Sequence, residues 1–189
     1  MLNNKRIFLI HGWEGNPNNC WFPWLKLEME KRGCEVIAPA MPHPEKPTIE
    51  DWVDCIRKNI GVPDDQTFFV GHSIGCQAIM RYLQTLNNVK IGGIVLVAGF
   101  FILRNLENEE VEAIAKPWVE TPIDFNAIKK CADNINVILS DNDDYVPLEE
   151  NKRMFELNLG AKVFIEHDLG HFDDEQGIKE LPKILELLK

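Results

Sequence analysis

The sequence is short of positive charge. Lys and Arg total 20 against 30 Asp and Glu, a formal net charge of −10. Phosphate recognition needs a basic face, so the balance argues against a nucleic-acid binder. It argues equally against docking on anionic lipid. Cysteine is sparse and scattered. The five residues, Cys20, Cys34, Cys55, Cys76 and Cys131, are odd in number and contain no Cys-x-x-Cys pair. Neither a disulfide framework nor a zinc knuckle fits that spacing, and a reducing compartment does. Long apolar runs are missing too. The longest nearly apolar stretch, residues 91–103, is too short to span a bilayer and carries Gly92, Gly93 and Gly99. Between Arg6 and His11 lie only four apolar residues, too few for the core of a signal peptide. The expectation is a cytoplasmic protein with no membrane association. Repeats, low-complexity tracts and Pro/Gly/Ser-rich linkers are also absent.

What is present fits one domain. At roughly 100–200 residues per domain, 189 residues predict a single domain over 1–189. Such a chain buries about 70% of its unfolded surface and needs no disulfide or metal to hold a core. Short apolar runs alternate with amphipathic stretches. Strands are expected over 6–10, 34–38, 67–70, 91–98, 135–139 and 162–165. Helices are expected over 21–31, 76–86, 125–132, 148–157 and 175–188. A further helix runs to residue 60 from Thr48-Ile49-Glu50-Asp51, which resembles a capping box. Near-continuous apolar strands alternating with amphipathic helices predict an α/β fold, a three-layer α/β/α sandwich around a six-stranded parallel sheet. Ligands in such folds bind beyond the carboxyl ends of the strands. Residues 100–124 break the rhythm. They read as a long loop carrying the acidic stretch 107–112 and Trp118.

Gly71-His72-Ser73-Ile74-Gly75 fits Gly-x-Ser-x-Gly, between an expected strand and an expected helix. That setting makes a sharp turn that exposes a nucleophilic serine. Ser73 needs a base and an acid, which follow it in the order acid then histidine. Only His167 and His171 lie late enough, and His171 sits in the turn-forming Gly170-His171-Phe172 between the last strand and the last helix. The acid belongs after the strand at 135–139, where Asp141, Asp143 and Asp144 compete. Asp143 begins an Asp-x-x-Val-Pro pattern, whereas Asp141 or Asp144 suits binding loop amides or capping the turn. Backbone N–H groups of Ile74 and Trp13 are the candidate oxyanion donors. His11 reads as an orienting residue of the Trp13 loop. Gly12 and Gly15 do not complete Gly-x-Gly-x-x-Gly, and no Gly-Lys-Ser/Thr is present, so no nucleotide cofactor is expected. No metal is expected either, since His167, Asp168 and His171 lack a cysteine partner nearby.

His11-Gly12-Trp13, the Ser73 motif, Asp143-x-x-Val146-Pro147 and Gly170-His171-Phe172 resemble the α/β-hydrolase superfamily. Asn19-Cys20-Trp21-Phe22-Pro23-Trp24-Leu25, Met41-Pro42-x-Pro44 and Asp51-Trp52 narrow the likeness. The chain is similar to the minimal serine hydrolases of the retinoblastoma-binding protein 9 and YdeN type. The resemblance implies strand order 2-1-3-4-5-6, loss of the first two strands of larger hydrolases, and no cap domain. It implies cleavage of a small ester, thioester or amide through Ser73, His171 and Asp143. Gly12, Trp13, Phe100 and Trp118 are the expected pocket residues. With no cap, the pocket should be shallow and shaped by residues 100–124. Carboxylates at 141–144 and 107–112 facing its mouth would disfavour anionic substrates. A rival reading is a protein-binding module on a hydrolase scaffold with a vestigial site, because fold does not fix function. A complete Ser, Asp and His set favours the enzyme, since binding alone requires none of them there.

Overall fold

The computed structural model describes residues 5–188. In chain order the elements are β1 (Arg6–Ile10), α1 (Phe22–Glu30), β2 (Glu35–Ile37), α2 (Ile49–Ile60), β3 (Thr67–His72) and α3 (Ile74–Leu83). There follow β4 (Gly93–Val97), α4 (Glu109–Glu120), α5 (Phe125–Cys131), β5 (Ile135–Ser140), α6 (Leu148–Leu159), β6 (Lys162–Glu166) and α7 (Pro182–Leu187). The strands form one parallel sheet in the order β2-β1-β3-β4-β5-β6. This is the order that the resemblance implies.

Successive strand residues point to opposite faces, and both faces are apolar. On β1, Phe8 and Ile10 join one core, while Ile7 and Leu9 join the other. The same split holds on β4, with Ile94 and Leu96 against Val95 and Val97. The first core is covered by α2 to α6 and the second by α1 and α7. Among the described residues no helix is long and apolar enough to cross a membrane.

Most elements match the sequence expectation to within a residue or two at each end, and three departures shape the molecule. The helix α3 begins at Ile74, directly after the Ser73 turn, two residues earlier than its apolar pattern. The closing helix is short, Pro182–Leu187. Pro182 suits a first helical turn, where its missing N–H costs nothing, and turns occupy the residues before it. Most important, residues 100–124 are not one loop. They contain α4, three turns long. The Asn108 side chain caps it by accepting from the N–H groups of Glu110 and Val111, and Glu109, Glu110 and Glu112 sit in its positive first turn. Pro117 lies inside the helix, near its end.

The C-terminal end of α4 is fixed to the core. Trp118, 1% exposed, donates its indole N–H to the Pro47 carbonyl at 3.1 Å. Its ring stands edge-on to Trp52, centroids 5.9 Å apart. The buried Arg81 guanidinium donates to the Trp118 and Thr121 carbonyls at 2.8 and 2.9 Å, satisfying acceptors that a helix end leaves open. The N-terminal half of α4 is left to stand over the carboxyl edge of the sheet.

Candidate active site

The carboxyl ends of β1, β3, β5 and β6 meet at one place. Ser73 caps the turn between β3 and α3 with φ 52° and ψ −121°. A non-glycine residue in that region is strained, and the strain holds the hydroxyl out of the turn. Two close backbone approaches make the geometry possible. A Cβ on Gly75 would lie 2.3 Å from the Ile10 carbonyl oxygen, so only glycine lets α3 start against β1. A Cβ on Gly12 would come within 3.4 Å of the Ser73 Cβ, so the loop after β1 also abuts the turn.

The His171 Nε2 lies 2.9 Å from Ser73 Oγ, and its Nδ1 lies 2.8 Å from Asp143 Oδ2. A carboxylate only accepts, so Nδ1 carries the proton and Nε2 offers a lone pair to the serine. Asp143 is held in turn. Its Oδ1 accepts the Tyr145 and Val146 N–H groups at 2.9 and 3.1 Å, and its side chain is 2% exposed. Among the described residues neither of the other two aspartate side chains bonds to His171. Asp141 accepts the Asp168 N–H and pairs with the exposed His167. The Asp144 carbonyl accepts from the Asn105 amide.

The amide N–H groups of Trp13 and Ile74 have no acceptor among the described residues. His11 fixes the loop that carries Trp13. Its Nε2 accepts the Met41 N–H at 2.9 Å, so Nδ1–H donates to the Gly12 carbonyl at 2.8 Å. Burial lowers its pKa, which keeps the ring neutral for both bonds. Cys76 is buried against the sheet and its thiol donates to the Val97 carbonyl. Burial pushes its pKa up, away from nucleophilic use.

A cavity of about 620 Å³ opens over Ser73 and His171. That lies within the usual range for small-molecule sites. Gly12, Trp13 and Phe100 line it as expected, and so do Leu103, Leu106, Val111 and Ile114 from the segment that holds α4. Trp118 does not line it. Its ring turns from the cavity into the core, because an amphipathic helix buries its large apolar face. Seven carboxylates line the cavity: Glu14, Glu45, Glu107, Glu110, Asp173, Asp174 and Glu175. No Lys or Arg does. Asp141 and Asp144, expected at the mouth, are not among the lining residues. Tyr145, edge-on to the His171 ring, feels these charges. Burial raises its pKa first, and Glu107, Glu175, Asp173 and Asp144 raise it further. Among the described residues no group of three or more His, Cys, Asp and Glu could hold a metal ion.

Sequence reasoning passed over His72, Tyr145 and Asn142. Asn142 Oδ1 accepts the Gly170 N–H at 2.7 Å, and Ser140 Oγ accepts the Leu169 N–H at 3.2 Å. The loop after β5 thereby shapes the loop that carries His171. No local pattern marks Asn142 or His72, whose bonds reach 28 and 99 positions along the chain.

Known proteins share this arrangement of elements. YdeN of Bacillus subtilis (strain 168) is 32% identical over 185 residues, 97% of this chain and 94% of that protein. Serine hydrolase RBBP9 of Rattus norvegicus is 26% identical over 158 residues, 82% of this chain and 80% of that one. The crystal structure of the ydeN gene product from B. subtilis aligns with a TM-score of 0.88 at 30% identity, covering 98% of this chain and 97% of that one. A family model described as serine hydrolase matches residues 7–189. With that match across nearly its whole length, the chain belongs to the serine hydrolase family.

Proposed function

We propose that the protein hydrolyses small carboxylic esters, with thioesters and amides as related acyl donors, through Ser73, His171 and Asp143. The observation that carries this reading is the unbroken hydrogen-bonded line from Ser73 Oγ through the His171 ring to Asp143 at the floor of the cavity. Ser73 Oγ attacks the acyl carbon while His171 Nε2 takes its proton. The carbonyl oxygen becomes an oxyanion, and the N–H groups of Ile74 and Trp13 donate to it. The positive end of α3 adds to that stabilisation. As the oxyanion collapses, the bond to the leaving group breaks and His171 returns the proton to it. Water then attacks the acyl-enzyme by the same route in reverse, releasing the acid and restoring Ser73. Asp143 holds the ring in the productive tautomer and offsets its charge as an imidazolium.

The cavity supports a substrate class. Trp13, Phe100, Leu103 and Ile114 favour an apolar acyl or alcohol part. The seven carboxylates disfavour an anionic substrate and favour a neutral or cationic one. The test is covalent labelling with a fluorophosphonate probe, run beside turnover of p-nitrophenyl esters of rising chain length. Wild type should label and turn over esters, and Ser73→Ala should do neither. Absence of labelling in wild type, or labelling that survives Ser73→Ala, overturns the proposal.

A further inference from the structure

We infer that His72 is the positioning residue for the base: its ring holds the main chain of His171 and so sets where the His171 imidazole meets Ser73. This rests on the reading of Ser73 and His171 as nucleophile and base. The His72 Nε2 lies 2.7 Å from the His171 carbonyl oxygen. A carbonyl only accepts, so Nε2 carries the proton and donates. The ring is 5% exposed, edge-on to Trp21 at 6.1 Å, and 5.2 Å from the His171 ring. Gly12 walls its other side, since a Cβ there would meet His72 Nδ1 at 3.0 Å.

The His171 loop needs such a tie. Asp168, Gly170 and Phe172 all have positive φ, at 58°, 52° and 59°. Non-glycine residues in that region are strained and persist only where the surroundings fix them. Ties to Asp141, Ser140 and Asn142 hold residues 168 to 170. Among the described residues, His72 alone gives a side-chain bond to the main chain of His171 itself. The bond also has a short lever. His72 precedes Ser73 in the chain, so it joins the base to the peptide next to the nucleophile. Two loops 98 positions apart are thereby registered on each other.

Burial, with the neighbouring His171 second, lowers the His72 pKa to about 3. The donor therefore stays neutral when His171 takes a proton, and the two rings do not compete for it. An added charge beside an imidazolium would oppose the step.

The test compares His72→Gln, His72→Asn and His72→Phe on p-nitrophenyl acetate, with wild-type fluorophosphonate labelling as the control for the chemistry. Gln places an amide N–H where Nε2–H stood, Asn falls short of it, and Phe has no donor. His72→Phe and His72→Asn should lower kcat about 10- to 100-fold through misplacement of the base. KM should move less than about twofold, as for an interaction felt in the transition state. His72→Gln should recover most of the rate. In wild type, ¹H–¹⁵N NMR should show His72 as the neutral Nε2–H tautomer throughout the pH range in which the enzyme turns over. The inference falls if His72→Phe keeps wild-type kcat, if Gln does no better than Asn, or if His72 carries its proton on Nδ1. Should His72→Phe fail to fold, the Gln–Asn contrast and the wild-type spectrum decide. An unlabelled wild type with an Nε2–H His72 would overturn the esterase reading and leave the tie standing.

Discussion

Three aspartates follow β5 within four positions, and the fold places their carboxylates differently. Asp143 is nearly buried and faces His171 at 2.8 Å, while Asp141 pairs with the exposed His167. Their worth to catalysis must differ accordingly. Asp143→Asn should lower kcat for p-nitrophenyl acetate about a thousandfold or more, because an amide favours the wrong imidazole tautomer. Asp141→Asn should change it by less than about fivefold, since an exposed ion pair contributes little. Steady-state kinetics of the two variants checks this, and the reverse ranking would give the role to Asp141. At this scale the sequence was legible where spacing carries meaning. Gly-x-Ser-x-Gly marks Ser73 because the turn itself demands those residues, and Asp-x-x-Val-Pro marks Asp143. It was silent on His72, whose part depends on a bond to a loop 99 positions away.

Among the elements, the turn from β3 into α3 is the most constrained. α3 starts so close to β1 that a Cβ on Gly75 would lie 2.3 Å from the Ile10 carbonyl oxygen and 2.6 Å from that of His11. Both obstacles are backbone, so the helix itself must move. Gly75→Ala should destabilise the protein by about 1–3 kcal/mol, the usual cost of overpacking, and should also displace the Ile74 N–H. Gly61→Ala is the control, since nothing lies within 4 Å of its Cβ position and only its φ of +63° resists. Urea unfolding with ester turnover on both variants tests it, and equal losses would remove the special role of the Gly75 contact. The strands and most helices were legible because apolar periodicity is a local property. α4 was not, although Asn108 and three glutamates signal a helix start. Pro117 and the charged positions around it weaken the periodic pattern, and the helix is completed by contacts from Pro47, Trp52 and Arg81, all distant in sequence. Burial of Trp118 is part of that same anchoring, which is why it leaves the cavity to its neighbours on the helix.

At the scale of the whole molecule, the net charge of −10 acquires a location. Glu14 and Glu45 come from the loops after β1 and β2, Glu107 and Glu110 from the start of the α4 segment, and Asp173 to Glu175 from the loop after β6. Composition shows the sum, but only the fold shows that four distant segments aim it at one cavity. Some of that charge is already balanced, since Asp174 pairs with Lys179. Glu107 and Glu175 still act on Tyr145, beside the His171 ring. A cleft lined by one sign of charge concentrates ligands of the other sign and repels its own. The prediction compares three p-nitrophenyl esters whose acyl chains end in a methyl group, a trimethylammonium group or a carboxylate. At low ionic strength kcat/KM should rank cationic, neutral, anionic, with about tenfold between the extremes. Raising salt toward 1 M shortens the Debye length to about 3 Å and should draw the three together. Glu107→Gln with Glu110→Gln should narrow the spread at low salt while leaving the neutral ester least affected. A carboxylate ester that outruns the neutral one at low salt would mean that the cavity charge does not select the substrate.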